Sequence, residues 1–217
     1  MVIFVICSCL NVTGHGTTVY SVEERFSQTL QTIESIRDLK KDCKIVFCEN
    51  SPIQRQHREE LEKKVDKFIS INEGDIYYEK LNFQGYTSGK SVAECYQMVN
   101  VIEYLEKLEY STVIKISARY FLLDKFDINK FINDKINFRE LDHGYLCCST
   151  VLYSFPKIHS KLFQRKLIDL IPQMKITGKD IETSIHTIKK DYPDYVNFVD
   201  YIGVAGNLSP SGDYMEN

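Results

Sequence analysis

Val113-Ile114-Lys115-Ile116-Ser117-Ala118-Arg119-Tyr120-Phe121-Leu122 begins as a short β-branched run and ends with a lysine, a serine and an arginine beside an aromatic pair. The run reads as a buried strand, and the charge stands where that strand stops. In an open α/β sheet, ligands bind at the carboxyl ends of the strands, so cations there point to an anion such as a phosphate. The competing reading is a strand with alternate residues in solvent and Lys115 and Arg119 as surface charges. The rest of the chain decides between them.

On both sides of this stretch, apolar runs alternate with helical patterns. Val2 to Cys9 reads as the first strand, followed by a loop with Gly14 and Gly16 and a helix opening at Ser21. Ser21 with Glu24 forms a capping box, and Phe26, Leu30, Ile33 and Ile36 recur along one helical face, with Arg25, Thr29 and Thr32 on the opposite flank. Lys44 to Cys48 is a second strand, a charged helix runs through Gln54 to Asp66, and Phe68 to Ile71 is a third strand. A polar stretch from Asn72 to Gly89 precedes a second capping box, Ser91 with Glu94, which predicts a helix to about Lys107. After the Val113 strand come a small helix near Lys125 to Asn133 and an apolar segment at Tyr145 to Phe155. Helices near Lys157 to Leu170 and Asp180 to Lys190 and an apolar run at Val196 to Val204 complete the pattern. Such alternation predicts an α/β fold with a mainly parallel central sheet flanked by helices, a Rossmann-like architecture that suits nucleotides. No linker interrupts it, so residues 1–217 read as one domain.

Lys plus Arg number 27 against 30 Asp plus Glu, a formal net charge of -3, which gives no electrostatic case for nucleic acid or an anionic membrane. An anion site here is therefore local. The cysteines, Cys7, Cys9, Cys43, Cys48, Cys95, Cys147 and Cys148, are odd in number, lack a Cys-x-x-Cys pair and mostly sit in apolar runs. They read as small core hydrophobes of a reduced, cytoplasmic protein. Met1 to Leu10 is apolar but has no basic n-region and is about half the length of a membrane span. It reads as a buried strand, with no signal peptide and no integral membrane span.

Ser88-Gly89-Lys90-Ser91 matches the end of a phosphate-binding P-loop, but the glycine that the full pattern needs is replaced by Gln84. What remains is a glycine turn that would deliver Lys90 to a helix N-terminus, a place suited to a pyrophosphate or a sugar hydroxyl; taken alone, Gly89 reads more simply as a loop glycine and Lys90 as solvated. Glu49-Asn50-Ser51 stands just past the second strand, where nucleotide-binding sheets present acceptors to ribose or base, although turns favour the same residues. Glu182 and His186 form an i,i+4 pair at the edge of a helical face set by Ile181, Ile185 and Ile188. A carboxylate beside a histidine forms an acid/base unit or a solvated flank. No histidine has metal-ligand spacing, no Asp-x-Asp follows an apolar strand, and Asp124 and Asp127 read as capping residues.

Taken together, Arg25 to Arg37, Glu49-Asn50-Ser51, Gly89-Lys90 with Glu94, Lys115-Ile116-Ser117-Ala118-Arg119-Tyr120, Ile181-Glu182 and Gly203-Val204-Ala205-Gly206 resemble a group of small GT-A-type glycosyltransferases. The group occurs in bacterial surface-polysaccharide clusters and in some large DNA viruses. Its central stretch commonly reads Lys-Ile-Ser-Gly-Arg-Tyr, and Ala118 stands here in place of the glycine. The resemblance covers most of the chain and implies transfer of a sugar from a nucleotide-diphosphate sugar to an acceptor hydroxyl on a glycan or glycoconjugate, as in polysaccharide biosynthesis. GT-A enzymes usually hold the pyrophosphate through a divalent metal on an Asp-x-Asp; Ser117-Ala118-Arg119 occupies that place, so fixed cations are expected to replace the metal and no cofactor is required, with a divalent metal as the less favoured alternative. In this reading Arg25 and Glu49 lie near the nucleoside, and Lys90, Lys115, Ser117 and Arg119 near the diphosphate or sugar. Glu182 is expected to take the acceptor proton if transfer inverts the anomeric carbon, and only to orient substrate if it retains configuration. The rivals are a P-loop-like nucleotide kinase using Lys90 and Ser91, and a non-catalytic nucleotide-sugar or glycan-binding module.

Overall fold

A computed structural model describes residues 1–12, 18–71, 86–142, 146–208 and 211–216. Its centre is β1 (Val2–Ser8), buried along its whole length. Parallel neighbours flank it, β2 (Lys44–Glu49) on one side and β4 (Thr112–Ser117) on the other, and β3 (Lys67–Ser70) extends the parallel part beyond β2. Past β4 the sheet reverses. β7 (Leu146–Pro156) runs antiparallel to β4, β6 (Ile136–Asp142) runs antiparallel to β7, and β8 (Val196–Phe198) lies parallel to β6. The order of this seven-stranded sheet is β3-β2-β1-β4-β7-β6-β8. A second, three-stranded sheet is made by β5 (Tyr120–Leu122), β9 (Val204–Asn207) and β10 (Tyr214–Glu216), with β9 in the middle.

Alternate residues of β1 feed opposite cores because successive side chains of a strand point to opposite faces. Ile3 and Val5 join Met98 and Val101 of α3 (Tyr86–Leu105), Phe163 and Leu167 of α4 (Ser160–Thr177) and Ile185 of α5 (Ile181–Asp191). Phe4 and Ile6 join Phe26, Ile33 and Ile36 of α1 (Val22–Leu39), Leu61 of α2 (Arg55–Lys64), and Tyr120, Leu122 and Val204 of the small sheet. The fold is thus a mixed α/β fold whose large, mostly parallel central sheet is flanked by helices, as the sequence pattern implies. Among the described residues no helix is long and apolar enough to cross a membrane. All the cysteines are free, and every one except the half-buried Cys9 is buried.

The first capping box forms as expected, with Ser21 accepting from the Glu24 amide and Glu24 accepting from the Ser21 amide. The flank of α1 opposite its apolar face is not solvated, however: Arg25, Thr29 and Thr32 are buried too. The chain leaving β4 lies over this flank and is bonded to it, with Thr29 Oγ1 donating to the Ala118 carbonyl at 3.3 Å and the Leu122 amide donating to Ser35 Oγ at 3.0 Å. α1 is therefore covered on two sides.

The second capping box does not form. α3 already starts at Tyr86, so Gly89, Lys90 and Ser91 lie inside the helix, and Ser91 Oγ accepts instead from the Ile181 amide at 2.9 Å. Between Lys125 and Asn133 there is only the short 3-10 turn Ile128–Lys130, capped by Asp127. The run Val196 to Val204 divides into β8 and the start of β9, which belong to different sheets. Gly203 makes that divergence feasible: its φ is +67°, and a β-carbon there would lie 2.7 Å from Phe126 Cα.

Candidate active site

Two groups of polar side chains gather at the carboxyl ends of β1, β2 and β4, where the crevice of an open α/β sheet lies. The first is built around Glu49, the last residue of β2, which is fully buried. Its Oε1 accepts from the Leu10 amide at 3.1 Å, the Ser51 amide at 2.9 Å and Ser51 Oγ at 2.5 Å. Ser51 Oγ in turn accepts from the Asn11 amide at 2.9 Å, so Glu49 clasps the two loops that leave β1 and β2. Burial pushes the Glu49 carboxyl up from its ordinary range, and these hydrogen bonds pull against the shift. From the other side of the sheet, Gln97 on α3 donates to the Ser8 carbonyl at 2.7 Å and the Cys48 carbonyl at 2.8 Å, tying the same two strand ends together.

Arg25 on α1 reaches this place from above. Its Nε donates to the Cys9 carbonyl at 2.8 Å and its Nη1 to Thr18 Oγ1 at 3.3 Å. Burial, and after it the neighbouring positive charge of Arg119, brings its pKa down to about 10. Arg119 stands just past β4, half-buried, with its guanidinium 5.8 Å from the Tyr120 ring and a buried Nε that makes no hydrogen bond. The like charges of Arg25 and Arg119 work against each other at the end of a buried sheet, and the unpartnered buried Nε of Arg119 adds to the cost. An anion bound near them would offset both.

The second group surrounds Lys115. The sequence places its ammonium near a diphosphate, yet the side chain is fully buried in the middle of β4. Nζ donates to Glu94 Oε1 at 2.5 Å, Ser117 Oγ at 2.9 Å and the Thr150 carbonyl at 2.5 Å. An ammonium has three protons, and protein acceptors take all of them; the Ser117 hydroxyl is engaged by the same lysine. Thr150 then donates through Oγ1 to Glu182 Oε1 at 2.7 Å. Glu182 lies in the first turn of α5, whose start is fixed twice, by Asp180 accepting from the Thr183 amide and by Ser91 accepting from the Ile181 amide. Burial pushes the Glu182 carboxyl up, the negative charge of Glu94 adds to the rise, and the Thr150 hydroxyl opposes it. The histidine paired with Glu182 in the sequence turns away: His186 Nε2 is 3.4 Å from Glu140 Oε1 and its ring stacks on Phe198.

The site thus brings together Arg25, Glu49 and Arg119 in one group and Lys115, Ser117 and Glu182 in the other. Lys90 is exposed on α3, one turn before Glu94. Because Gly89, Lys90 and Ser91 are helix interior, they form no phosphate loop, and the kinase-like alternative loses the feature on which it stood. At the end of β4 the residues do not suit a divalent metal: Ser117 is hydrogen-bonded to an ammonium, Ala118 has no ligand atom on its side chain, and Arg119 is itself a cation. Among the described residues no group of three or more His, Cys, Asp and Glu side chains could hold a metal ion. Glu94, Thr150 and Gln97 were not anticipated as parts of the site. A buried lysine in an apolar strand does announce that a counter-ion exists, but nothing in the sequence says which residue supplies it.

The sequence matches no protein-family profile and no curated protein. Solved structures do share the fold. The glycosyltransferase GlyE of Streptococcus pneumoniae TIGR4 superposes with a TM-score of 0.55 at 10% identity over 91% of this chain, and its apo form with 0.55 at 8% over 91%. An active-site variant of LgtC superposes with a TM-score of 0.56 at 10% identity over 91% of this chain. The chain spans 45% of the length of GlyE and 72% of that of LgtC. At such identities the likeness concerns architecture alone, and that architecture is the GT-A fold of glycosyltransferases.

Proposed function

We propose that this chain is a glycosyltransferase that moves a sugar from a nucleotide-diphosphate sugar to a hydroxyl of a glycan or glycoconjugate. The observation that carries the reading is that two neighbouring like charges, Arg25 and Arg119, the latter with an unbonded buried Nε, stand at the carboxyl ends of β1 and β4 inside a GT-A fold. The diphosphate lies against this pair, and the nucleoside lies on the side of Glu49 and Asn50. Lys90 reaches the diphosphate or sugar from α3. Lys115 does not touch the donor and serves the site through Glu94 and Thr150.

In the reaction the acceptor oxygen forms a bond to the anomeric carbon while the bond from that carbon to the diphosphate oxygen breaks. The electron pair leaves with the nucleoside diphosphate, and the acceptor proton passes to Glu182. Fixed guanidinium groups neutralise the charge that develops on the leaving group, at no cost of reorganisation during the step. The raised affinity of Glu182 for a proton suits a base that works near neutral pH.

Titration calorimetry with UDP, GDP, CDP, dTDP and their sugar conjugates tests this reading. One nucleotide series is expected to bind, and its sugar conjugate is expected to be hydrolysed or transferred. Absence of binding by every member at millimolar ligand overturns the reading, and tight binding with neither hydrolysis nor transfer points to a binding module.

A further inference from the structure

Thr150 occupies an irregular place in β7. The pairs Asn137↔Ser154 and Arg139↔Ser149 set five positions on β7 against two on β6, so β7 bulges between Ser149 and Ser154. On its other edge the pairing with β4 ends at Ile116↔Leu152, two residues before Thr150 is reached. Bulges bend a strand and re-aim side chains, and they are common beside active sites. Here the bulge presents Thr150 to two partners at once: its carbonyl accepts from Lys115 Nζ at 2.5 Å and its hydroxyl donates to Glu182 Oε1 at 2.7 Å. Thr150 is buried, and Lys115 is buried completely.

We infer that Thr150, anchored by Lys115, is a positioning residue that aims the Glu182 carboxylate and keeps it available as a proton acceptor. The inference rests on the reading of Glu182 as the base, and it deepens that reading. The geometry gives the mechanism. Lys115 is neutralised by Glu94, and its hydrogen bond to the Thr150 carbonyl fixes the backbone from which the hydroxyl projects. A hydroxyl that donates to a carboxylate favours the ionised form. Without it, burial and the nearby Glu94 charge would hold the proton on Glu182 to higher pH. The other titratable groups facing Glu182 are Asp180 at the start of its own helix, Cys95 on α3 and Cys147 on β7. Burial pushes both thiols up, so they stay neutral.

The test needs no substrate. The Glu182 carboxyl is titrated by carbon-13 NMR in protein labelled at the glutamate side-chain carboxyl, its signal identified by its loss in Glu182→Gln. Thr150→Val, which keeps the shape and removes the hydroxyl, is expected to raise the titration midpoint by roughly one pH unit. Thr150→Ser keeps the hydroxyl and should leave the midpoint near that of the parent. Glu94→Gln removes the like charge and should move it the opposite way, downward. The inference is overturned if Thr150→Val leaves the midpoint where it is, whatever Glu94→Gln does, or if Thr150→Ser moves it as far as Thr150→Val. The pH profile of turnover, recorded with the nucleotide sugar that calorimetry selects, separates the two levels. If its acid limb follows the midpoint, both readings hold; if the midpoint moves and the limb does not, the positioning network stands and Glu182 is not the base.

Discussion

Gly206 lies directly against Arg119: a β-carbon on Gly206 would stand 2.3 Å from the Arg119 carbonyl oxygen and 2.6 Å from the Tyr120 ring. The small sheet therefore fixes the backbone just past β4, at Arg119, through the pair Tyr120↔Gly206. Gly206→Ala must push that backbone aside. We expect a stability loss of about 1–3 kcal/mol in thermal or denaturant unfolding. Binding of the preferred nucleoside diphosphate is expected to weaken by roughly tenfold in calorimetry, although residue 206 itself carries no charge. Unchanged affinity would show that the anion does not depend on where Arg119 sits.

Arg119→Ala should weaken nucleoside diphosphate binding by roughly 10–100-fold, the loss that follows from one charge-assisted hydrogen bond. Folding should be unharmed, because the substitution also relieves the repulsion felt by Arg25. Calorimetry and a melting curve on the same sample check both halves. An unfolded variant would mean that Arg119 belongs to a buried structural ion pair, and an unaltered affinity would make it a surface charge.

Glu182→Gln keeps size and an acceptor oxygen for the Thr150 hydroxyl but cannot take a proton. Donor affinity should persist while turnover falls by roughly 10²–10⁴-fold. In the parent, if Glu182 is the base, its raised affinity for a proton should place the acid limb of the turnover profile above the ordinary carboxylate range. Activity is then lost as the pH falls through that limb. EDTA should leave parent activity largely intact if, as proposed, guanidinium groups hold the diphosphate. Activity abolished by chelator and restored by manganese would assign a metal to a carboxylate elsewhere, with Asp124 the first to test.

Glu49 separates structural from charge effects. Glu49→Ala leaves the Leu10 and Ser51 amides without their acceptor and should cost about 2–4 kcal/mol. Glu49→Gln retains the acceptor and removes the buried charge. Because burial raises the folded-state pKa of Glu49 above its unfolded value, the native state binds more protons through the carboxylate range, and this group's contribution to stability falls as the pH rises. The stability of the parent relative to Glu49→Gln should therefore improve as the pH is lowered through that range. Urea unfolding at several pH values measures the difference, and a difference independent of pH would rule out the perturbed carboxyl.

Local pattern made most of the parallel half of the fold legible. β1 and the middle of β2 are apolar runs, and β4 is one broken only by Lys115, because these strands are buried on both faces, and the α1 capping box marks a helix start by chemistry confined to four residues. The antiparallel half was harder to read. β6 mixes Asn137, Arg139 and Glu140 with its apolar residues, and Asn137 and Glu140 find their partners far along the chain, in Ser154 and His186. Ser91 and Glu94 show how a local signature fails: the same two residues that would cap a helix instead serve Ile181 and Lys115, which are remote in the chain. The site divides in the same way. Arg119 follows a recognisable strand, so position alone exposed it, whereas Lys115 lies within one, and only tertiary structure shows its protons taken by Glu94, Ser117 and Thr150.

The reversal of the sheet at β7 also divides the site along the chain. Arg25, Glu49 and Arg119 all precede Leu122, whereas Thr150 and Glu182 follow it, and the contact of Lys115 with Thr150 joins the two portions. Under the assignment made above, residues that hold the donor and the residue that faces the acceptor occupy separate stretches of one polypeptide. Substitutions after β5 can then alter what is glycosylated while leaving the nucleotide pocket untouched. A lineage could diversify its acceptors by drift in its second half alone, provided that the lysine and threonine that couple the halves stay in register.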